Sequence, residues 1–245
     1  MKILCIGNSF SQDATRYLYG IARAGGVDVK VVNLYIGGCS LSRHYRNMLS
    51  EERVYAFEIN GMQNTGILVS IKEALLSDDW DVVTLQQQSS NSARYETFSL
   101  YLERLADYVR TMAPKARIFL HQTWAYKETS AKLISCGYST HEEMFLSVRQ
   151  NYERARQEIG ADGILLSGEA VLLANEAKEC GIYRDEFHMS RGFGRYMLGL
   201  VWYKTLTGGS IEENSFSDFD EVISEQQRML AKACAERATS SIVKQ

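Results

Sequence analysis

The stretch KILCIGNSFSQDATRYL, residues 2–18, decides the fold of this chain. An apolar run, residues 3–6, stops at Gly7, and a helical pattern begins directly after it. A buried strand that turns at once into a helix is typical of the βα units of a parallel sheet. The stretch therefore predicts an α/β fold and places Ser9 at the corner between the first strand and the first helix.

Four further apolar runs, each followed by a longer helical pattern, repeat this arrangement: residues 29–36, 82–85, 118–121 and 164–166. The runs are almost continuously apolar, as expected of strands that helices cover on both faces. We therefore expect one domain over residues 1–245, built as a flavodoxin-like three-layer α/β/α sandwich with a five-stranded parallel sheet.

Three apolar stripes at helical spacing predict helices that pack on this sheet: residues 96–112, 145–159 and 219–234. Pro114 stops the first pattern, and Gly160 closes the second as a C-terminal glycine. Residues 37–66 mix glycine, asparagine and charge with weak periodicity. This segment predicts a long loop with a short helix.

Composition and charge restrict the class of partner. The chain is 45% hydrophobic and 23% charged, which is ordinary for a soluble globular protein. Its formal net charge is -3, and no run of lysine and arginine interleaved with aromatic residues occurs, so we expect no nucleic-acid partner. The first apolar run is too short for a signal peptide or a membrane span. If Met1 is the natural start, this predicts a cytoplasmic protein with no membrane partner, although a protein whose export signal was removed would show the same sequence.

The cysteines and histidines indicate no metal site. Five cysteines, an odd number, are widely spread and form no CxxC pair. This pattern favours free thiols over a disulfide framework or a zinc site. No histidine spacing matches HExxH or another metal motif. We therefore expect neither a metal nor a cofactor.

Polar segments follow the predicted strands: GNSFS after the first, GGCSLSRH after the second, QQQSSNS after the third and HQTWAY after the fourth. In an open parallel sheet, ligands bind outside the carboxyl ends of the strands, where such segments meet. A site at this edge would combine Ser9 with side chains from several loops. We expect the segments 37–66 and 126–140 to shape its pocket.

Ser9 is a candidate nucleophile. A serine hydroxyl needs a base within hydrogen-bond reach and donors for the oxyanion that forms on attack. At a strand-to-helix turn its own backbone N–H can be one such donor, and the helix dipole favours the negative charge. The same position also suits a serine N-cap or a phosphate-binding turn, so Ser9 alone does not decide between these.

The motif DEFH, residues 185–188, supplies a partner for Ser9. His188 can act as a general base near neutral pH, and Asp185, three residues earlier, can hold its other ring nitrogen. A surface aspartate beside a capping histidine is the alternative. Together with Ser9, the motif predicts a Ser-His-Asp triad with Ser9 and His188 within hydrogen-bond distance.

In their order these blocks resemble the SGNH or GDSL hydrolases, and within them the DUF4886-type branch. ILCIGNSFS resembles the family's nucleophile block, with Asn8 where better-known members have aspartate; GGCSL resembles its glycine block and DEFH its terminal block. The blocks span residues 3–188. The resemblance implies Ser9 as the nucleophile, His188 as general base and then general acid, and Asp185 as the group that orients His188.

The resemblance also implies an oxyanion hole made by the backbone N–H groups of Ser9 and Gly38 and by a third, side-chain donor. Better-known members take this donor from the asparagine of a GxND block, which this chain lacks. LQQQSSNS stands there instead and resembles the QGES block of sialate-type carbohydrate acetylesterases, which implies Gln86. Gln88 and Asn91 are alternatives, because a slip of one residue along a strand reverses the face of a side chain.

Five further residues are candidates for the pocket: Asn8, His44, Gln88, His121 and Trp124. His44 follows the glycine block, and the alternative for it is a solvated loop histidine. His121 ends an apolar run, where a histidine is often satisfied by nearby backbone.

These features predict a serine esterase, a carboxylic ester hydrolase that cleaves a small ester by way of an acyl-enzyme. The resemblance favours acetyl esters, so the expected partner is a small-molecule ester, with acetylated carbohydrate as the preferred class. A lipid esterase or thioesterase is one alternative. The other is a carbohydrate-binding protein that keeps the fold without turnover, which Asn8 and the missing GxND block motivate.

Overall fold

The computed structural model describes residues 1–63 and 65–240. Seven strands form one sheet: β1 (Lys2–Gly7), β2 (Lys30–Tyr35), β3 (Tyr55–Ile59), β4 (Leu68–Val69), β5 (Val82–Leu85), β6 (Arg117–His121) and β7 (Gly163–Leu165). Their order across the sheet is β4-β3-β2-β1-β5-β6-β7. Because β1 is the central strand, Ser9 lies in the middle of the edge formed by the carboxyl ends of the parallel strands.

The sheet is mixed, whereas the sequence predicted a purely parallel one. All five predicted strands are present and parallel, and they follow the order 2-1-3-4-5 typical of flavodoxin-like folds. The expected total of five was wrong, because β3 and β4 extend the sheet beyond β2 as antiparallel strands. In β3 the residue paired with Asn33 of β2 is the buried Glu58, which accepts a hydrogen bond from Asn33 Nδ2 at 2.7 Å. A strand that buries a carboxylate lacks the continuous apolar run by which the other strands were predicted.

Helices cover both faces of the sheet. Those in the described residues are α1 (Ser9–Thr15), α2 (Leu18–Ala24), α3 (Leu41–Ser50), α4 (Ile71–Leu76), α5 (Ser89–Ser92), α6 (Tyr101–Met112), α7 (Ala131–Ser135), α8 (His141–Ile159), α9 (Ser167–Glu176), α10 (Phe193–Thr207) and α11 (Glu225–Ser240). Helices α1, α2, α9, α10 and α11 pack together in one layer, and α3, α4, α6 and α8 pack together in the other. Among these described helices, none is long and apolar enough to cross a bilayer.

Two of the predicted helices are present, each with a changed first residue: the helix predicted from residue 145 begins at His141. The helix predicted over residues 96–112 begins only at Tyr101, because a 3₁₀ turn, Tyr95–Thr97, precedes it and Leu100 has a φ of 65°. The second predicted helix is α8. Gly160 follows its last residue with a φ of 59°, as expected of a glycine that ends a helix.

The third predicted stripe, residues 219–234, is helical only in its second part. Helix α11 begins at Glu225, so Phe219 lies in the segment before it, and Val222 is 99% exposed. Phe219 is nevertheless partly buried and meets the ring of Tyr17 edge-on at 5.8 Å between centroids. The apolar residues before Glu225 therefore lie in a loop, although their spacing in the sequence matches that of a helix.

The segment 37–66, predicted as a long loop with a short helix, contains both α3 and β3. Helix α3 begins after Ser40, whose Oγ accepts a hydrogen bond from the backbone N–H of Arg43 at 3.3 Å. The predicted short helix is therefore present. Asn64, which belongs to the same predicted loop, lies outside the described residues.

Candidate active site

At the corner between β1 and α1, the side chain of Ser9 is not used to cap the helix. Asn8 is the N-cap of α1, and its Oδ1 accepts a hydrogen bond from the backbone N–H of Phe10 at 3.0 Å. Ser9 is the first helical residue and does not cap the helix. Gly7 ends the strand where a Cβ atom would lie 2.3 Å from Ser11 Oγ and 2.9 Å from Gln86 Oε1. Only glycine allows the backbone to turn this closely past its neighbours.

The structure brings the three predicted triad residues together. Ser9 Oγ lies 2.9 Å from His188 Nε2, and His188 Nδ1 lies 2.7 Å from Asp185 Oδ2. Because the carboxylate of Asp185 accepts from Nδ1–H, the neutral ring presents Nε2 as an acceptor to the Ser9 hydroxyl. The contact expected between Ser9 and His188 is present.

The carboxylate of Asp185 has several donors. Its Oδ1 accepts the backbone N–H groups of His188 at 2.7 Å and Phe187 at 2.9 Å. Partial burial acts to raise the pKa of this carboxyl, but the hydrogen bonds from the two N–H groups and the His188 ring outweigh it, so its pKa lies below the usual value. Asp185 is therefore ionised at neutral pH and can stabilise a protonated His188.

We call residues 183–189 the histidine loop. Its ends are paired by a β-bridge between Tyr183 and Met189, and the backbone N–H of Arg184 donates to His188 O at 3.0 Å. These contacts, like the one between Asp185 and His188, are all made within the loop. They give the loop its shape but do not set its distance from Ser9.

Trp124, predicted as a pocket residue, is fully buried and supports the histidine loop from behind. Its Nε1–H donates to Phe187 O at 2.7 Å, and its ring stacks on Phe10 of α1 at 4.0 Å between centroids. Trp124 therefore joins the histidine loop to the helix that begins with Ser9. It does not face the open site.

Asp13 is a residue of this site that the sequence analysis missed. It lies one helical turn after Ser9, and its fully buried carboxylate accepts hydrogen bonds from Arg184 Nη1, Arg195 Nε and the backbone N–H of Met189. Two of these partners belong to the histidine loop. The available signal was an aspartate four residues after Ser9 on the same helical face.

Two backbone N–H groups at the corner are available for an oxyanion. Within the described residues, the N–H groups of Ser9 and Gly38 have no protein acceptor. The loop holding Gly38 is drawn to the corner by Asn8 Nδ2, which donates to Cys39 O at 3.0 Å. Gly38 has a φ of 60°, a conformation that favours glycine.

Gln86, expected to supply the third oxyanion donor, lies beneath the corner and is 2% exposed. Its Nε2 donates to Asn8 Oδ1 at 2.7 Å, and its Oε1 accepts from His121 Nδ1 at 2.8 Å. The structure therefore corrects that expectation: the side chain of Gln86 holds Asn8 and does not face the site. Gln88, further along the same block, is half-buried, and its side-chain amide has no partner among the described residues. Asn91 Oδ1 accepts a hydrogen bond from the guanidinium of Arg94.

His121 is fully buried and does not line the pocket. It belongs to a chain of hydrogen bonds with one direction: Trp202 Nε1 to Ser167 Oγ, Ser167 Oγ to His121 Nε2, His121 Nδ1 to Gln86 Oε1, and Gln86 Nε2 to Asn8 Oδ1. Burial lowers the pKa of His121 to about 3, so the ring is neutral with its proton on Nδ1. The chain ties α10 to the N-cap of α1.

Two other candidates for the pocket are also buried. Asn8 is 1% exposed, and its side chain is used in the cap and in the contact with Cys39. The His44 ring is enclosed, with Nδ1 2.9 Å from Tyr55 Oη, and burial lowers its pKa to about 3. Neither residue faces the site, because each packs between the glycine block and the sheet.

The segment 126–140 lies against the histidine loop, as its expected part in the pocket requires. The backbone N–H of Lys127 donates to Glu186 O at 2.8 Å, and that of Lys132 donates to Glu186 Oε1 at 3.1 Å. No group of three or more histidine, cysteine, aspartate or glutamate side chains suited to a metal ion occurs in the described part of the chain.

Comparison with known proteins identifies the family to which this chain belongs. The model of a domain of unknown function, DUF4886, matches residues 2–238 of the chain. A DUF4886 family protein from Bacteroides uniformis ATCC 8492 has a solved structure that is 30% identical, with a TM-score of 0.91 over 100% of this chain and 96% of that chain. A search of curated protein sequences found no significant match.

Two further solved structures share the fold at lower identity. A candidate SGNH hydrolase from Slackia heliotrinireducens is 24% identical, with a TM-score of 0.59 over 84% of this chain and 98% of that chain. The acetyl xylan esterase AlAXEase is 12% identical, with a TM-score of 0.58 over 84% of this chain and 100% of that chain. The chain therefore has the fold found among SGNH hydrolases, and the resemblance inferred from its sequence blocks is confirmed.

Proposed function

From the finding that the chain belongs to the DUF4886 family, we propose that it is a serine esterase that cleaves a small ester through Ser9, His188 and Asp185. One observation carries the proposal: a continuous relay from Ser9 Oγ through the His188 ring to Asp185, with distances of 2.9 and 2.7 Å. Nucleophile, base and orienting carboxylate at such distances are the arrangement required for acyl transfer.

The first half of the reaction forms the acyl-enzyme. Ser9 Oγ attacks the ester carbonyl carbon while its proton passes to His188 Nε2, and Asp185 stabilises the imidazolium. The carbonyl oxygen becomes an oxyanion that the N–H groups of Ser9 and Gly38 and the side-chain amide of Gln88 stabilise. His188 then gives its proton to the leaving alcohol oxygen as the carbon–oxygen bond breaks.

The second half releases the acid. His188 Nε2 takes a proton from a water molecule, whose oxygen attacks the acyl carbon of the acyl-enzyme. The same donors hold the second oxyanion. When it collapses, the bond to Ser9 Oγ breaks, and His188 returns its proton to Ser9, so the enzyme leaves the cycle unchanged.

An acetyl ester on a carbohydrate is the substrate class that we propose. The block QQQSSNS, residues 86–92, resembles the QGES block of sialate-type carbohydrate acetylesterases and supports this class. The acetyl xylan esterase that shares the fold is consistent with this class.

Labelling with a fluorophosphonate probe tests the nucleophile. We expect the wild-type protein to be labelled, Ser9→Ala to be unlabelled, and the matched control Ser99→Ala, which changes an exposed serine, to be labelled like the wild type. A well-folded wild type that takes no label would contradict the enzyme and favour a carbohydrate-binding protein. If labelling occurs, hydrolysis of p-nitrophenyl acetate, butyrate and octanoate tests the acyl group, and preference for octanoate would favour a lipid esterase.

A further inference from the structure

The carboxylate of Asp13 is fully buried between α1, the histidine loop and α10. Arg184 Nη1 lies 2.8 and 3.0 Å from its two oxygens, Arg195 Nε lies 2.9 Å from Oδ1, and the backbone nitrogen of Met189 lies 3.1 Å from Oδ2. A buried carboxylate is tolerated where charges and donors offset its desolvation, as they do here. Asp13 therefore holds three partners in fixed positions.

The partners of Asp13 lie on both sides of the catalytic pair. Arg184 directly precedes Asp185, and Met189 directly follows His188. The loop's own hydrogen bonds keep Asp185 and His188 together, whereas Asp13 contacts the loop from the helix that begins with Ser9. Four residues of helix separate Asp13 from Ser9, a rise of about 6 Å. One set of contacts that fixes the distance between Ser9 and His188 therefore runs through a turn of α1.

The third partner of Asp13, Arg195, belongs to a helix that packs on α1. Arg195 lies on α10, its side chain is 8% exposed, and its Nη1 also pairs with Asp220 at 3.0 Å. Arg184 is less enclosed, with its side chain 24% exposed. The two arginines therefore differ: Arg195 joins two helices of the framework, and Arg184 is the contact that belongs to the loop.

We propose that Asp13 is a positioning residue that sets His188 against Ser9 by holding Arg184 and the backbone of Met189 at the two ends of the histidine loop. The inference rests on the proposed esterase function for its kinetic consequence. Asp13 does not touch the reacting atoms. Its loss leaves the contact between Asp185 and His188 intact but lets the pair move relative to Ser9.

Kinetics with p-nitrophenyl acetate test this through Asp13→Asn and Arg184→Gln. A displacement of about 1 Å in a catalytic group can cost about 100-fold in rate, so we expect kcat to fall about 10- to 100-fold with little change in KM. The matched control is Glu58→Gln, a buried carboxyl that contacts Gln12 of α1 but not the histidine loop. We expect its kcat to stay close to that of the wild type.

The same changes in a His188→Ala background separate positioning from a general loss of structure. If Asp13 acts through His188, Asp13→Asn causes no further loss of the residual rate once the imidazole is absent. An equal loss in both backgrounds, or full activity in a folded Asp13→Asn protein, would overturn the inference. If Asp13→Asn does not fold, Arg184→Gln gives the same test, since Arg195 and Met189 still pair with Asp13.

Hydrogen exchange of the histidine loop gives a readout that needs no activity. We expect the backbone amides of residues 183–189 to exchange faster in Asp13→Asn than in the wild type and to be unchanged in Glu58→Gln. Unchanged exchange in Asp13→Asn would overturn the positioning role by itself. A wild type that neither hydrolyses esters nor takes the fluorophosphonate would instead contradict the proposed function, and the exchange comparison would still decide the role of Asp13.

Discussion

The Ser9 hydroxyl is available to His188 because its neighbour makes the structural contacts of the corner. Asn8 caps α1 with Oδ1, and its Nδ2 holds Cys39 O. An aspartate, the residue of the better-known nucleophile blocks, would keep the cap but would have no N–H for Cys39. Asparagine in place of aspartate therefore adds one contact. Through Nδ2, Asn8 joins the glycine block to the corner, beside the N–H groups that an oxyanion would need.

The side-chain oxyanion donor gives the prediction that belongs to the residue scale. We expect Gln88→Ala to lower kcat for p-nitrophenyl acetate by about 100-fold, the usual cost of one oxyanion-hole donor, with KM nearly unchanged. Asn91→Ala is the comparison, because Asn91 is an alternative donor of the same block and only its carbonyl oxygen accepts a hydrogen bond from Arg94. The reverse result, with Asn91→Ala slow and Gln88→Ala normal, would assign the donor to Asn91.

At the scale of elements, the sequence predicted those strands and contacts that depend on residues close together in the chain. The parallel strands are continuous apolar runs, and the pair Asp185 and His188 is a contact over three residues, so both were visible. Strand β3 was not, because Glu58 occupies a buried position. Asp13 was missed because its partners stand 171 to 182 residues later in the chain, and no local pattern reports a contact at that separation.

The link between α1 and the histidine loop can be tested with Trp124→Phe. The smaller ring keeps a stacking partner for Phe10 but removes the hydrogen bond to the partly buried Phe187 O, which costs about 1 kcal/mol. We expect a lower free energy of unfolding together with a lower kcat. Trp80→Phe is a matched control. Trp80 Nε1 donates to Ala74 O with a distance of 3.0 Å, and this contact does not involve the histidine loop.

The two tryptophan variants separate stability from positioning. Trp80→Phe should lose comparable stability, measured by denaturant unfolding, and keep the wild-type kcat. Equal losses of kcat in both variants would mean that stability alone controls the rate, and the proposed support of the histidine loop by Trp124 would then be wrong.

At the scale of the whole molecule, buried neutral histidines make stability depend on pH. Burial lowers the pKa of His44 and His121 to about 3 and lowers that of His141 as well. Each ring takes up a proton near pH 6.5 when the chain is unfolded but not when it is folded, so stability is present above pH 6.5 and is lost as the pH falls below it, down to about 3 for His44 and His121.

We expect the free energy of unfolding to fall by about 4 kcal/mol from His44 and His121 together between pH 7.5 and 5.0. Glu58, whose pKa burial raises, opposes this with a single carboxyl. Denaturant unfolding across this range measures the loss. His121→Gln should show a shallower dependence, by about one proton, and an unchanged slope in that variant would contradict a neutral, buried His121.

The separation of Ser9 and His188 along the chain also has a consequence for folding. They are 179 residues apart, with Ser9 in the first βα unit and His188 after the last strand. As the chain is synthesised, Ser9 is made early and stays inert until residues up to Arg195 have emerged and docked. On the proposed function, reactivity towards a fluorophosphonate reports the docking of the histidine loop on α1, and during refolding it should appear no earlier than that docking.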